Sequence, residues 1–284
     1  MLKAYYRLTK PGIIYGNLVS AVAGFFLASA LAGKFSPGTF LAMLVGLALV
    51  IGSACVFNNY LDREIDAKME RTRKRALVSG QIPVLKALVY GSLLGLVGLG
   101  VLIAWTNVFT AAVALTGWGF YVVVYGYFKR VSVHGTLVGS ISGATPPVVG
   151  YAAVSGNLGG YALVLFLMLV FWQMPHFYSI AIYRSKDYAA AKIPVLPLVK
   201  GVATTKKIIL IYIAAFIVMA WTLGVPFFIL MLLAGGYWLR AGYRGLSAAD
   251  SNKWARKMFG LSLVVLLIWS ASITLFSIVS LLVD

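Results

Sequence analysis

One polar stretch interrupts an otherwise apolar chain: NNYLDREIDAKMERTRKR, residues 58–75. It contains four of the seven acidic residues of the protein. Asn58, Asp62 and Asp66 are spaced i, i+4, i+8, so on a helix they fall within roughly 80° of one another. Three oxygen-bearing side chains on one helix face suit a hard divalent cation such as Mg²⁺, and the neighbouring bases favour a phosphate partner. The alternative interpretation is a solvated loop that follows a membrane helix.

The composition around this stretch indicates an integral membrane protein. The 284 residues are 61% hydrophobic and 11% charged, whereas soluble domains average about 25% charged residues. At ~20 residues per crossing, about nine helices use up the chain and leave no room for a separate soluble domain. We therefore predict an all-α polytopic membrane protein with a single integral membrane domain, residues 1–284.

Nine apolar segments are predicted to cross the membrane, with short turns at Thr106-Asn107 and at Gly224-Val225-Pro226. The fifth segment contains the sequence GATPP, residues 143–147, which predicts a broken helix. The predicted segments are Ile13 to Ala32, Phe40 to Tyr60, Val84 to Trp105, Val108 to Phe128, Val133 to Val154, Tyr161 to Tyr183, Ile208 to Leu223, Phe227 to Leu239 and Met258 to Val283.

The basic residues predict the orientation of these segments. The N-terminus and the loops after the even-numbered segments carry 23 of the 24 Lys and Arg residues, and Lys34 is the exception. By the positive-inside rule, these loops and the N-terminus are cytoplasmic and the C-terminus is outside. The net charge of +17 is therefore explained without a nucleic-acid partner. We expect the active site to face the cytoplasm, where the loops are long and charged.

A second polar group surrounds the end of the sixth segment. His176, Tyr183 and Asp187 are spaced i, i+7, i+11, which places them within roughly 20° on a continued helix. An ionisable side chain within a membrane span is a functional candidate by default. The alternative for His176 is a structural hydrogen bond to a neighbouring helix.

These motifs resemble the UbiA superfamily of membrane prenyltransferases. The pattern Asn58-x-x-x-Asp62-x-x-x-Asp66 is the superfamily's motif, with Arg63 inside it and RALVSG, residues 75–80, after it. Further blocks are similar to the haem-modifying branch of that superfamily, and they run along the whole chain: residues 9–14, 56–63, 135–147, 172–176, 187–188 and 194–197.

The resemblance implies a nine-helix bundle around a central cavity, Mg²⁺ as cofactor, and farnesyl diphosphate and haem B as substrates. It implies that Asn58, Asp62 and Asp66 are catalytic and hold the metal together with Asp187. Superfamily members have a second Asp-x-x-x-Asp motif, but here its second acid would be Ala191, so a symmetrical second metal site is not expected. The residues expected to bind diphosphate are Arg63, Arg75, Lys129 and Arg130, and the one expected to bind haem is His176.

The implied reaction transfers the farnesyl group to a vinyl group of haem B, with addition of water, and gives haem O. The alternatives are a prenyltransferase for an aromatic or quinone precursor, and a membrane haem carrier or transporter. A haem A synthase or a terminal oxidase assembly is a further expected partner, besides the lipid bilayer. The sequence shows no mitochondrial transit peptide, so the expected location is the plasma (inner) membrane of a prokaryote.

Overall fold

The computed structural model describes residues 1–283, which contain helices and no strand. Asp284, the last residue of the predicted domain, lies outside the described residues. Within the described part, nine helices are long and apolar enough to cross a membrane, which confirms the predicted number of spans. They are α1 (Pro11–Leu31), α2 (Pro37–Leu61), α3 (Val84–Trp105), α4 (Val108–Val131), α5 (Gly135–Ser155), α6 (Gly160–Tyr183), α7 (Val202–Leu223), α8 (Val225–Arg244) and α9 (Ser251–Val283).

The two tight turns lie where the sequence predicts them. Asn107 caps α4 through its side-chain oxygen, which accepts a hydrogen bond from the Thr110 amide at 2.8 Å. Gly224, between α7 and α8, has a φ of 100°, a conformation that glycine adopts without steric cost. Pro226 follows in the first turn of α8, where its missing N–H has no helical partner to lose.

Two spanning helices are irregular where they approach the centre of the bundle. α5 is interrupted at Ala144, as the GATPP sequence predicts. α4 contains a five-residue π-helical turn, Phe120–Val124, which the sequence did not predict. Such turns rotate the side chains that follow them and occur frequently at functional sites.

The spanning helices form a closed ring in chain order. Each one contacts the next, and α9 returns to contact α1. Across the ring, α1 packs on α5 and α6 packs on α9. The contact between α1 and α5 depends on small residues, because a Cβ atom added to Gly24 would lie 2.0 Å from the Pro147 carbonyl oxygen. Gly150 has the same role, since its added Cβ would lie 2.0 Å from the Ala21 carbonyl oxygen.

We call the side of the bundle with the N-terminus and the loops after α2, α4, α6 and α8 the basic face. Two of these loops pack on each other there, because Met69, after α2, lies in one apolar cluster with Ile193 and Val195, after α6. The predicted continuation of the His176 helix face to Asp187 is wrong. α6 ends at Tyr183, and a separate short helix, Ser185–Ala190, begins after Arg184.

Candidate active site

The polar motif forms a buried cluster at the end of α2 on the basic face. Asn58, Asp62 and Asp66 are 3%, 8% and 2% exposed. Helical hydrogen bonds continue through the motif, from the Asp62 amide to the Asn58 carbonyl at 2.9 Å and from the Asp66 amide to the Asp62 carbonyl at 2.7 Å. The three side chains therefore share one face, as their spacing predicts. The neighbouring Glu64 and Glu70 are exposed.

Each carboxylate of this cluster is paired with a cation from elsewhere in the chain. Lys129, near the end of α4, forms a salt bridge with Asp62. Arg75 donates from Nη1 to Asp66 Oδ2 at 2.5 Å. Arg130 lies 3.6 Å from Asp62 Oδ1 and donates to the Leu61 carbonyl at 2.5 Å. The structure thus brings three of the four expected diphosphate-binding cations to the carboxylates.

Of the residues predicted to bind metal or diphosphate, two do not join this cluster. Arg63 lies over the Tyr60 ring, with its Cζ 4.5 Å from the ring centroid, and donates to the Tyr60 carbonyl at 3.0 Å. The nearest ion-pair partner of Asp187 is Arg184, at 4.0 Å. Among residues 1–283, no three His, Cys, Asp or Glu side chains are close enough to hold one metal ion. Asp187 is therefore not grouped with Asp62 and Asp66 in the structure.

Lys10 contacts the cluster, although the sequence pattern indicates no role for it. Its Nζ donates to Asn58 Oδ1 at 2.6 Å, and burial lowers the pKa of Lys10 to about 8. Its backbone has a φ of 52°, in the left-handed region that residues other than glycine rarely adopt. Strain of this kind costs roughly 1–3 kcal/mol and is concentrated at functional sites.

The cluster fits a magnesium–diphosphate group. Asn58 Nδ2 and Asp62 Oδ1 are buried and have no hydrogen-bond partner among the described residues, although Lys129 and Arg130 lie close to the Asp62 oxygen. Carboxylate and amide oxygens are ligands that Mg²⁺ accepts, and proteins usually supply only one or two carboxylates when substrate phosphates complete the shell. The surrounding Lys and Arg side chains suit the remaining phosphate charge.

A cavity of about 400 Å³ lies within the bundle and reaches the cluster through Lys129. Helices α1, α2, α4, α5, α6 and α9 form its wall, together with the segment Tyr188 to Val195. Lys129, the partner of Asp62, lines the cavity, and so do His176 and Trp172. The lining is mostly apolar, and the volume lies within the range of small-molecule sites, roughly 300–1,000 Å³.

Aromatic rings lie between the cluster and the interior of this cavity. Tyr121 and Tyr125, from the π-helical turn of α4 and its end, stack with their centroids 5.8 Å apart. The Lys129 ammonium lies 5.2 Å from the Tyr125 ring. The negative faces of such rings attract cations, so this part of the wall can stabilise positive charge that develops beside the cluster.

His176 is held in a defined orientation in the cavity wall. Its Nδ1 lies 2.8 Å from Ser262 Oγ, and its ring stacks on Trp172 with centroids 4.9 Å apart. Ser262 donates its own hydroxyl proton to the Phe259 carbonyl at 2.6 Å. The Ser262 oxygen therefore accepts from His176 Nδ1–H, which leaves the lone pair of the imidazole on Nε2.

Comparisons with known proteins identify the family of this chain. Residues 17–279 match the UbiA prenyltransferase family. The chain is 49% identical over 269 residues to a protoheme IX farnesyltransferase of Pseudomonas syringae pv. syringae, covering 92% of this chain and 90% of the relative. It is 46% identical over 273 residues to a protoheme IX farnesyltransferase of Yersinia pseudotuberculosis, covering 94% and 92%.

Two solved structures share the fold at low sequence identity. A digeranylgeranylglyceryl phosphate synthase has a TM-score of 0.77 at 17% identity, with 98% of each chain covered. A UbiA homologue from Archaeoglobus fulgidus, bound to DMAPP and Mg²⁺, has a TM-score of 0.65 at 15% identity, with 95% of this chain and 98% of that chain covered. These similarities confirm the predicted helical architecture.

Proposed function

The chain belongs to the UbiA prenyltransferase family, and we propose that it transfers the farnesyl group of farnesyl diphosphate to a vinyl group of haem B. The observation that carries this proposal is one mostly apolar cavity whose wall contains both Lys129, the ion-pair partner of Asp62, and His176. Relatives at 46–49% identity are protoheme IX farnesyltransferases, which specifies haem as the acceptor.

The diphosphate of the substrate binds at the carboxylate cluster in this proposal. Asn58, Asp62 and Asp66 would hold Mg²⁺, which neutralises part of the charge on the leaving diphosphate. Lys129 and Arg75 exchange their contacts with the carboxylates for contacts with diphosphate oxygens. Placing these cations beforehand reduces the cost of reorganisation when the bond to the diphosphate breaks.

Haem binds in the cavity with His176 Nε2 as the ligand of its iron. The hydrogen bond from Nδ1 to Ser262 supports this role, because a neutral imidazole binds iron through the nitrogen that carries no proton. Trp172 supports the same ring from one side and donates from Nε1 to the Ser262 carbonyl at 2.7 Å. The contact between α6 and α9 therefore orients the imidazole of His176, which would bind the iron.

The reaction balances with water as the third reactant. The bond between farnesyl C1 and the diphosphate oxygen breaks, and the electron pair leaves with the diphosphate. The π electrons of the haem vinyl group form the new bond to C1, and water then adds to the resulting carbocation and loses a proton. The apolar wall limits access of water before this step. Tyr121 and Tyr125 stabilise the cationic stage through their rings.

We further propose that the basic face is cytoplasmic in the plasma (inner) membrane of a prokaryote, with the N-terminus inside and the C-terminus outside. The distribution of Lys and Arg supports this orientation. Cys55, the one cysteine of the chain, is buried, so a cysteine introduced at Ser36 or Lys200 can be labelled selectively. An impermeant reagent added outside should label Ser36→Cys only. A terminal oxidase assembly or haem A synthase is the proposed user of the product.

A competition between acceptors tests the reaction. Purified protein receives farnesyl diphosphate, Mg²⁺ and equal amounts of haem B and 4-hydroxybenzoate, and the products are separated by mass spectrometry. We expect farnesylated haem and no prenylated benzoate. Prenylation of the aromatic acid would instead identify an enzyme for a quinone precursor. Bound haem with both substrates unchanged would identify a haem carrier.

A further inference from the structure

A second cavity lies on the basic face, at the end of α2. Its volume is about 340 Å³, and it is enclosed by the N-terminal helix, Leu2–Leu8, and by the loop that follows α2. Of the described residues that line it, none is acidic and six are basic. The basic residues are Lys3, Arg7, Lys10, Arg71, Lys74 and Arg75.

Most of these cations have no ion-pair partner among the described residues. Lys3, Arg7, Arg71 and Lys74 are exposed at the cavity, and none of them forms an ion pair with a carboxylate of residues 1–283. Like charges that surround one small space repel one another. An anion in the cavity would remove this repulsion, and the two guanidinium groups offer the paired N–H donors that match phosphate oxygens.

Lys10 and Arg75 connect this cavity to the carboxylate cluster. Both line the cavity, and both also contact the cluster, Lys10 through Asn58 Oδ1 and Arg75 through Asp66 Oδ2. Neither of them lines the apolar cavity. The carboxylate cluster therefore lies between an apolar cavity within the bundle and a basic cavity at its surface. Lys10 and Arg75 therefore lie beside the carboxylates, and the four exposed cations line the same cavity.

We propose that the basic cavity is a second phosphate site, which receives inorganic diphosphate after it leaves the carboxylate cluster. The proposal rests on the proposed function, because diphosphate is the leaving group of that reaction. The headgroup of an anionic phospholipid presents the same phosphate chemistry at the membrane surface, and the experiment distinguishes the two sources. Binding in the basic cavity would draw diphosphate away from the carboxylates and free them for the next substrate.

The test measures diphosphate binding while the substrate site is occupied. The full-length protein in nanodiscs of neutral phosphatidylcholine is saturated with Mg²⁺ and a farnesyl diphosphate analogue that does not ionise. Radiolabelled inorganic diphosphate is then added. We expect one further equivalent to bind. In the variant Arg7→Gln/Lys74→Gln this binding should weaken about fivefold to tenfold, because exposed charges each contribute little to binding, with the affinity for the analogue unchanged.

A matched variant controls for the loss of two charges. Lys200 and Lys257 are exposed on the basic face and do not line either cavity, so Lys200→Gln/Lys257→Gln should bind diphosphate as the wild type does. A second experiment tests the lipid headgroup, by native mass spectrometry of protein taken from nanodiscs that contain phosphatidylglycerol. Retention of that lipid by the wild type and its loss in Arg7→Gln/Lys74→Gln would identify the headgroup as the source of the phosphate.

Two outcomes would overturn the proposal. In the first, the wild type binds no second equivalent of diphosphate and retains no lipid that depends on Arg7 and Lys74. In the second, the affinity for the analogue falls together with that for diphosphate, which would make the cavity a part of the substrate site. Failure of the proposed function is a separate result, because haem would then remain unmodified while both binding measurements still succeed.

Discussion

Substitutions at the salt bridge between Asp62 and Lys129 can distinguish the contribution of the cluster to stability from its contribution to turnover. Both residues are only 8% exposed, so Asp62→Ala leaves a buried ammonium group without its partner. Removing one partner of a buried pair costs about 3–5 kcal/mol. The long Lys129 side chain can turn its ammonium group toward solvent once Asp62 is removed, so we expect a loss near the lower limit, about 3 kcal/mol. Turnover should also be lost, because Asp62 would hold the metal.

A second variant removes both charges together. Asp62→Asn/Lys129→Met replaces the pair with uncharged side chains of similar volume, and such replacements are often neutral for stability. We expect its apparent melting temperature in detergent to be close to that of the wild type. Asp62→Ala should melt about 6 °C lower, at roughly 2 °C for each kcal/mol in a chain of this size. Neither variant should produce modified haem.

The exposed acid Glu64 provides the control. It lies two residues after Asp62, and its ion pair with Arg63 is 3.7 Å long and exposed to solvent, so Glu64→Ala should change stability by less than about 1 kcal/mol and keep turnover. The expectation for stability would be refuted if Asp62→Ala had the same apparent melting temperature as the wild type. The expectation for function would be refuted if Asp62→Asn/Lys129→Met still produced farnesylated haem.

Three further predictions concern haem, packing and metal. Ser262→Ala should shift the absorption spectrum of bound haem and weaken its binding about tenfold, whereas Ser262→Thr should restore both, because the hydroxyl fixes the tautomer of His176; titration with haem measures this. Gly150→Ala should lower the melting temperature, since the new Cβ would lie 2.0 Å from a carbonyl oxygen of α1. Gly236→Ala should not, because no atom lies within 4 Å of the Cβ added there. Equal melting temperatures of the two variants would contradict the packing argument. Chelation with EDTA should abolish turnover and Mg²⁺ should restore it, while haem binding, followed by absorbance, stays constant.

The spans and the polar motif could be predicted because their signals are local. Long apolar segments determine the spans, and the i, i+4, i+8 spacing places Asn58, Asp62 and Asp66 on one face. The turns at Asn107 and Gly224 also follow from neighbouring residues, since a capping side chain and a glycine with positive φ act within a few positions.

The partners of these side chains could not be predicted, because they are distant in the sequence. Lys10 and Asn58 are 48 residues apart, and Lys129 and Asp62 are 67 residues apart. Lys10 is one of many bases on the basic face, so its charge gave no signal for a particular role. Ser262 lies 86 residues from His176 and is a small polar residue within an apolar helix. Only the packing of α9 against α6 brings these two together.

The most direct test of the proposed reaction is a single turnover mixture in water labelled with ¹⁸O. The purified protein is incubated with haem B, farnesyl diphosphate and Mg²⁺. The molecular mass of the extracted haem is then measured by mass spectrometry. The proposed reaction predicts a haem that has gained one farnesyl group and one hydroxyl group whose oxygen comes from the labelled water. Unmodified haem together with labelled farnesol would contradict it, because the cluster would then ionise the substrate without delivering it to haem.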